Sequence, residues 1–286
     1  MTTEKLAELM SGAAVYRPSS RRPEQPRPTA KPDRYPDRPR VVRLRGVTLQ
    51  VKAMVLAAGK GTRLGTLGAD MPKPMLPLGG RPVLEWTLES LRRANIRDVV
   101  INLHHAPEVI PRHFGDGSKF GLHIDYLFEA EILGTAGGIR NARQLLGGEP
   151  FLVVYGDTVL DWDPRPMVED HVQSSAAATI VVSEVADPSR LGVVMFDAQR
   201  RITTFVEKPG HRPELGRWVN AGLCVLDRRV FDHIPETGFS DLGTSIFPAM
   251  LERGAVLRAY PRPRPLIVLD TPEQLAAAQR QWNMPG

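Results

Sequence analysis

The chain has 286 residues, of which 42% are hydrophobic and 24% charged, a balance typical of a soluble globular protein with a sizeable core. The net charge of +5 lies at one end: residues 1–50 hold eleven basic and five acidic residues, a net of +6 that leaves −1 for the rest, so we expect no nucleic-acid-binding surface on the body. No apolar run approaches the roughly 20 residues of a membrane span and no signal peptide is evident, so we expect a cytoplasmic protein that does not bind a membrane.

The first 46 residues differ in composition from the rest of the chain. Between residues 17 and 40, proline alternates with arginine, aspartate and serine, and almost nothing is apolar, which is typical of an extended or disordered segment. We therefore predict a basic, disordered tail at 1–46 and one folded domain at 47–286. A partner-binding or RNA-binding arm is the alternative for the tail.

From residue 51 onward, apolar runs alternate with amphipathic stretches, a rhythm that predicts successive βαβ units. Predicted strands lie at 52–57, 98–102, 123–128, 151–155, 178–182, 192–196, 221–226 and 266–269, and predicted helices at 82–93, 135–145, 167–173 and 272–282. The predicted fold class is α/β: a Rossmann-like, mostly parallel sheet covered by helices, with a binding crevice beyond the C-terminal strand ends. Cys224, the only cysteine of the sequence, falls in an apolar run and is predicted to be a core thiol.

A glycine-rich turn follows the first predicted strand. Its predicted phosphate-binding residues are Ala57, Ala58, Gly59, Gly61, Thr62 and Arg63. Backbone N–H groups of such a turn can close around phosphate oxygens, although its spacing fits neither the dinucleotide-binding nor the P-loop pattern. Ten residues after Arg63, Lys73 stands between two prolines, whose stiffness would hold its ammonium group near the phosphates with little entropy left to lose.

Further motifs follow in order at residues 133–138, 155–157, 205–209 and 219–222. Together with the glycine-rich turn and the Pro-Lys-Pro segment, they resemble the sugar-1-phosphate nucleotidylyltransferases over about residues 51–282. Residues 133–137, Leu-Gly-Thr-Ala-Gly, are most similar to the mannose-1-phosphate guanylyltransferase branch. The resemblance implies that residues 47–286 form a catalytic domain of the nucleotide-diphospho-sugar transferase type.

The resemblance also implies a reaction: transfer of a nucleotidyl group from a nucleoside triphosphate to a sugar 1-phosphate, with release of pyrophosphate and with Mg²⁺ as cofactor. No protein nucleophile is needed, because a phosphate monoester is itself a nucleophile, so catalysis consists of positioning and charge neutralisation. On this scheme Arg63 binds the leaving β- and γ-phosphates, Lys73 the α-phosphate and Lys208 the sugar phosphate.

Two aspartates are predicted metal ligands. Asp157 follows the predicted strand at 151–155, and the resemblance implies that it binds magnesium; a turn or capping aspartate is the alternative. The family's last motif, Asp-Ile-Gly-Thr-Pro, is altered here, because Val268 stands at the aspartate position and Asp270 at that of the glycine. Asp270 could still reach the metal from the same face of an extended segment, or it could cap the helix that begins at Pro272.

The predicted sugar-phosphate site uses two later motifs. Glu207 offers a carboxylate suited to hydroxyl groups and Lys208 an ammonium suited to phosphate, although a surface ion pair would explain both. By resemblance, residues 219–222 form the sugar-facing strand, with Asn220 as a hydroxyl partner and Gly222 allowing close approach.

By resemblance, residues 128–133, which include Glu129, read the nucleobase, and Gly134 and Thr135 after them are predicted to bind the nucleotide. A carboxylate at Glu129 can accept both N1–H and the exocyclic amino group of guanine, whereas uracil and thymine offer one N3–H between two repelling carbonyls. GTP is therefore the predicted donor. The alternative for Glu129 is a solvated residue at the end of a strand.

Two other functions stay open at this point. The same chemistry could act on a cyclitol 1-phosphate or another sugar-like phosphate, because hydroxyl-reading side chains do not reveal whether a ring contains oxygen. The altered Asp270 region would also suit a weakly catalytic regulatory protein that binds nucleotide sugars. A homo-oligomer is compatible with the sequence, which does not determine the oligomeric state.

Overall fold

The computed structural model describes residues 15–16, 42–44, 47–59, 61, 71–148, 150–262, 267, 269 and 271–282. Most of the predicted tail, residues 266 and 268 of the predicted strand at 266–269, and the predicted site residues Thr62, Arg63 and Asp270 lie outside these residues. None of the helices in the described ranges combines the length and the apolarity that crossing a membrane requires.

The described strands are β1 Val15–Tyr16, β2 Val42–Leu44, β3 Val47–Leu49, β4 Lys52–Leu56, β5 Pro77–Leu78, β6 Arg81–Pro82, β7 Asp98–Leu103, β8 His123–Phe128, β9 Phe151–Tyr155, β10 Ala178–Glu184, β11 Gly192–Phe196, β12 Ile202–Glu207, β13 Trp218–Leu226 and β14 Leu257–Pro261. The α-helices are α1 Val83–Arg93, α2 Val109–Phe114, α3 Gly134–Asn141, α4 Arg143–Leu146, α5 Arg165–Ser174, α6 Phe247–Glu252 and α7 Pro272–Trp282. A 3₁₀ turn covers Lys73–Met75, and a π-helical turn, Leu242–Ile246, leads into α6.

Four parallel strands in the order β8-β7-β4-β9 form the centre of the main sheet. Their near-continuous apolar sequences suit strands that helices cover on both faces. The other side of the sheet is mixed: β13 runs antiparallel between β9 and β10, while β14 pairs parallel with β10. The predicted α/β class with a mostly parallel central sheet is confirmed, and the C-terminal ends of the four parallel strands meet at one edge.

Two layers of helices bury the faces of this sheet. On one face α1 contributes Leu84, Leu88 and Leu91 to the core, and Glu85 in its first turn and arginines in its last turn complement the helix dipole. On the other face α3, α4 and α6 contribute to a second core cluster, in which Cys224 of β13 is buried, as predicted.

The predicted elements at 123–128, 151–155, 192–196 and 272–282 have the bounds that were predicted. The predicted helix at 135–145 is two helices, α3 and α4, because the chain turns at Ala142. Strands β12 and β14 were not predicted. Both are only partly buried and carry polar or charged side chains, so no apolar run marks them.

Two parts of the predicted tail are described. Strand β1 pairs with the outer edge of β8, and β2 forms a hairpin with β3 beside α5. Val42 in β2 is only 1% exposed and belongs to the core cluster of the α1 face. The predicted division at 46/47 therefore falls inside this hairpin, and the disorder predicted for the tail remains a prediction.

A chain that begins at residue 41 keeps Val42 and the hairpin, whereas one that begins at residue 47 loses both. Burying a valine side chain contributes about 1.5–3 kcal/mol, so we expect the shorter chain to have a lower free energy of unfolding by about that amount in urea denaturation. Equal free energies of unfolding for the two chains would show that Val42 does not belong to the core.

Candidate active site

Polar residues follow the C-terminal ends of the four parallel strands and surround a first cavity of about 290 Å³. Ala58 and Gly59 follow β4, Asn102 lies in β7, and Glu129 and Asp157 follow β8 and β9. The predicted residues that line this cavity are Ala57, Ala58, Gly59, Lys73, Glu129, Gly134, Thr135 and Asp157. The structure therefore brings together the predicted nucleotide-binding motifs that it describes, apart from Gly61.

A chain of buried hydrogen bonds joins three of these strand ends. The N–H of Ala57 donates to Asn102 Oδ1 at 2.7 Å, and Asn102 Nδ2 donates to Glu129 Oε1 at 2.6 Å. The other carboxylate oxygen, Oε2, accepts the N–H of Leu133 at 3.1 Å. The Ala57 N–H, which was predicted to bind phosphate, is thus committed to Asn102.

Glu129 is 2% exposed, which rules out a solvated residue at the strand end. Burial raises the pKa of its carboxyl group, and the hydrogen bonds from Asn102 and Leu133 offset part of that rise. Each carboxylate oxygen has two lone pairs and accepts one of these two protein donors, so each retains the capacity to accept one more hydrogen bond.

Lys73 and Asp157 meet at one end of the first cavity. The 3₁₀ turn that begins at Lys73 directs its side chain inward, where Nζ lies 3.4 Å from Asp157 Oδ2. The Lys73 side chain is 14% exposed and that of Asp157 is 35% exposed. A cation and a carboxylate 84 residues apart in sequence are thus adjacent and open to a ligand.

A second cavity of about 250 Å³ adjoins the first. The predicted sugar-site residues Glu207, Lys208, Asn220 and Gly222 all line it, as does Arg190, which was not predicted. Lys208 Nζ lies 3.7 Å from Glu207 Oε1. Lys208 has a φ of 47°, in the left-handed region that non-glycine residues seldom occupy, so the bend after β12 sets the position of this lysine.

Asn220 and Gly222 are engaged with protein neighbours. Asn220 Oδ1 accepts the N–H of Gly222 at 3.0 Å, and the Asn220 side chain is hydrogen-bonded to Tyr155. A methyl group on Gly222 would lie 2.2 Å from Thr158 Oγ1. Thr158 therefore explains why position 222 has no side chain, while Asn220 still faces the second cavity.

Three residues, Tyr155, Asp157 and Asp241, line both cavities, and we call them the shared wall. Asp241 was not predicted. Its Oδ2 accepts the hydroxyl of Thr135 at 2.9 Å, and its Oδ1 accepts the N–H of Gly243 at 2.9 Å at the start of the π-helical turn. The sequence shows only an aspartate before a short helix, and no local pattern places it beside a residue 106 positions earlier.

Two N–H groups in the first turn of α3, and the hydroxyl of Thr135, are bonded to other parts of the protein. The N–H groups of Ala136 and Gly137 both donate to the carbonyl oxygen of Ser240 at 3.0 Å. Thr135 uses its hydroxyl for Asp241 and accepts the N–H of Leu242 at 2.7 Å. The N–H groups of Ala136 and Gly137 are therefore not available to a ligand in the first cavity.

The shared wall carries donors suited to a hard cation. Among the residues that the structure describes, no three or more histidine, cysteine, aspartate or glutamate side chains cluster as metal ligands would. Mg²⁺ nevertheless commonly takes only one or two protein carboxylates and completes its shell with substrate phosphates and water. Asp157 and Asp241 supply oxygen donors of that kind, so the residues present fit the ion.

The chain is similar in sequence to known proteins. The profile of the family described as nucleotidyl transferase matches residues 52–264. A UTP–glucose-1-phosphate uridylyltransferase from Synechocystis is 36% identical over 217 residues, which cover 71% of this chain and 56% of that protein. A mannose-1-phosphate guanylyltransferase from Mycobacterium tuberculosis is 38% identical over 207 residues, which cover 72% and 57%. The chain thus spans just over half the length of these relatives.

Solved structures share the fold. A putative glucose-1-phosphate thymidylyltransferase from Bacillus anthracis, in complex with a sucrose, has a TM-score of 0.74 at 25% identity, and the match covers 82% of this chain and 96% of that one. HddC from Yersinia pseudotuberculosis, complexed with GMP-PN, has a TM-score of 0.69 at 25% identity, and the match covers 82% of this chain and 100% of that one.

Gly138 in α3 packs against the buried hydrogen-bond chain, since a methyl group there would lie 2.7 Å from Asn102 Nδ2 and 2.9 Å from Glu129 Oε1. Alanine normally stabilises a helix by about 1 kcal/mol over glycine. We expect Gly138→Ala instead to lower the free energy of unfolding by about 1–3 kcal/mol, the cost of overpacking. Gly148→Ala, which has open space around it, is the matched control in thermal denaturation. A stabilised Gly138→Ala variant would contradict the packing described here.

Proposed function

Because this chain belongs to the nucleotidyl transferase family, we propose that it transfers a nucleotidyl group from a nucleoside triphosphate to a sugar 1-phosphate and releases pyrophosphate. The observation that carries the proposal is the pair of adjoining cavities with one shared wall. A triphosphate in the first cavity and a sugar phosphate in the second would meet beside Lys73 and Asp157.

The reaction then needs no group from the protein to become covalently bound. An oxygen of the sugar phosphate forms a bond to the α-phosphorus, and the bond from that phosphorus to the oxygen bridging to the β-phosphorus breaks. The electron pair of that bond leaves with pyrophosphate. The chain has only to align the two substrates and to neutralise their negative charge.

Three basic side chains are assigned to the negative charges of the substrate phosphates. Lys73, in contact with Asp157, would bind the α-phosphate at the boundary between the cavities. Lys208, 59% exposed in the second cavity, would bind the phosphate of the sugar. Arg63, which lies outside the described residues, is the predicted partner of the leaving phosphates.

We propose that this site binds Mg²⁺ and that Asp157 and Asp241 of the shared wall provide its protein ligands. Asp270 stays a predicted ligand outside the described residues. Asp157 and Asp241 would hold the ion, which would supply positive charge close to the phosphates during transfer. Asp157 is oriented for this task by Lys73, and Asp241 by Thr135 and the backbone of the π-helical turn.

Wild-type protein should release pyrophosphate only when a triphosphate, a sugar 1-phosphate and magnesium are all present. We expect Lys73→Met to lower turnover by about 10²–10³-fold, the scale of losing one electrostatic donor to the transition state. Its free energy of unfolding should change by no more than about 1 kcal/mol, because the pair with Asp157 is partly exposed. A panel of triphosphates and 1-phosphates, sugars and cyclitols included, provides the measurement.

Lys119→Met changes an exposed lysine away from both cavities and is the matched control. An active Lys73→Met enzyme would remove the assignment of Lys73. Wild-type protein that binds the substrates but turns none over would instead favour the regulatory function, and turnover of a cyclitol phosphate alone would favour that substrate class.

For the nucleobase we propose guanine, read by Glu129. The names of the relatives include both guanylyl- and uridylyltransferases, so the proposal rests on the side chain. Asn102 and the N–H of Leu133 hold the carboxylate in place at the cavity, and the spare lone pairs can accept the two parallel donors of guanine. The carboxylate must be ionised to do so.

We expect Glu129→Gln to reduce the preference for GTP over UTP by about 1–3 kcal/mol, since an amide presents one donor where guanine needs two acceptors. Because burial raises the pKa of Glu129, the wild-type preference should weaken as the pH falls and the carboxyl group takes up a proton. That pH dependence should be absent from the variant.

Exposed Glu131, two residues further on, provides the control substitution Glu131→Gln. Specificity constants for GTP and UTP as a function of pH are the measurement. Unchanged selectivity in Glu129→Gln, or a wild-type enzyme that uses both triphosphates equally, would contradict the role of Glu129.

A further inference from the structure

Phe239 is the most exposed large apolar side chain in the described part of the chain, at 68% exposure, and it lines the first cavity. A ligand that covers an exposed aromatic ring removes apolar surface from water, which stabilises the complex. Neither the motifs of the sequence nor the reaction proposed above assigns this residue a task.

The backbone that carries Phe239 is held firmly on both sides. Ser240 donates its N–H to the carbonyl of Leu133 at 2.8 Å, and its own carbonyl accepts two N–H groups from α3. On the other side, Arg140 donates to the carbonyl oxygens of Pro235 at 2.7 Å and Gly238 at 3.0 Å. The exposure of the ring is therefore a property of a fixed segment that is bonded to the base-reading stretch.

The ring also lies on the side of the cavity where the base would be read. A methyl group on Gly134 would be 3.0 Å from Phe239 Cε2, so the ring lies against the backbone of that residue. Ile132, from the same stretch, lines the cavity as a second apolar group, while Glu129 provides the hydrogen-bonding group. Apolar and aromatic surface beside one well-placed polar side chain is how protein pockets usually hold a flat ring.

We propose that Phe239 packs against the nucleobase of the bound triphosphate, as the aromatic wall of the nucleotide site. The proposal rests on the function proposed above and adds a contact that recognises the base by its face, whereas Glu129 recognises its edge. Stacking on an aromatic side chain tolerates any base but favours the larger purine surface.

The experiment measures dissociation constants by calorimetry for GTP, UTP and inorganic tripolyphosphate with magnesium. We expect Phe239→Ala to weaken GTP binding by about tenfold, the scale of one lost base–aromatic contact, and UTP binding by less. Tripolyphosphate, which has no base, should bind as it does to wild type. Phe239→Tyr, which keeps an aromatic ring, should bind GTP as wild type does. The melting temperature of Phe239→Ala should equal that of wild type, because the ring is exposed.

Met195→Ala, which removes another exposed apolar side chain that lines neither cavity, is the control. GTP affinity within twofold of wild type in Phe239→Ala would overturn the proposal, as would an equal loss for GTP and tripolyphosphate. If only the KM for the sugar phosphate rose, the ring would belong to the site of the second substrate, and the proposal would be rejected. Wild-type protein that binds no triphosphate at all would reject the proposed function itself, a result distinct from any of these.

Discussion

The architecture of the site depends on the side-chain amide of Asn102. Its oxygen accepts from the glycine-rich turn after β4 and its nitrogen donates to the carboxylate after β8, so one buried amide from β7 ties together the ends of three neighbouring strands. Removing it would leave a backbone donor and a carboxylate oxygen without their partner in a buried place, where each missing hydrogen bond costs about 1–3 kcal/mol. The glycine-rich turn and the Glu129 carboxylate, which we propose to bind the phosphates and the base, thus share one support.

The two cavities are joined by a second support, which runs through Asp241. Asp241 accepts a hydrogen bond from Thr135 at the first cavity and caps the turn that contains Gly243. A methyl group on Gly243 would lie 2.6 Å from Glu207 Oε2, so this turn packs tightly against a residue of the second cavity. Asp241 therefore links residues of the two cavities, and the hydrogen bonds that its side chain accepts from Thr135, Gly243 and Thr244 hold it in place.

Each of the two lysines that line the cavities lies next to a carboxylate that another anion could replace. Lys73 contacts Asp157 and Lys208 contacts Glu207, at 3.4 and 3.7 Å. Ion pairs that are partly open to solvent contribute only about 0–1 kcal/mol, so a phosphate can replace a carboxylate, or share the lysine with it, at little cost. These pairs hold the ammonium groups of Lys73 and Lys208 at the two cavities, where we propose that phosphates bind.

The order of motifs along the sequence was sufficient to predict the α/β class, half of the described strands, most of the described α-helices, and the set of loops that form the site. It was sufficient because strand and helix periodicity and glycine-proline turns are local properties. The sequence could not show that Glu129 is buried and shared with Asn102, that the first turn of α3 is capped by Ser240, or that Asp241 and Phe239 belong to the site. Those contacts join residues 27 to 107 positions apart. Only the packing of β7, β8 and the π-helical turn around one edge of the sheet decides them, since no local pattern records which distant side chains meet there.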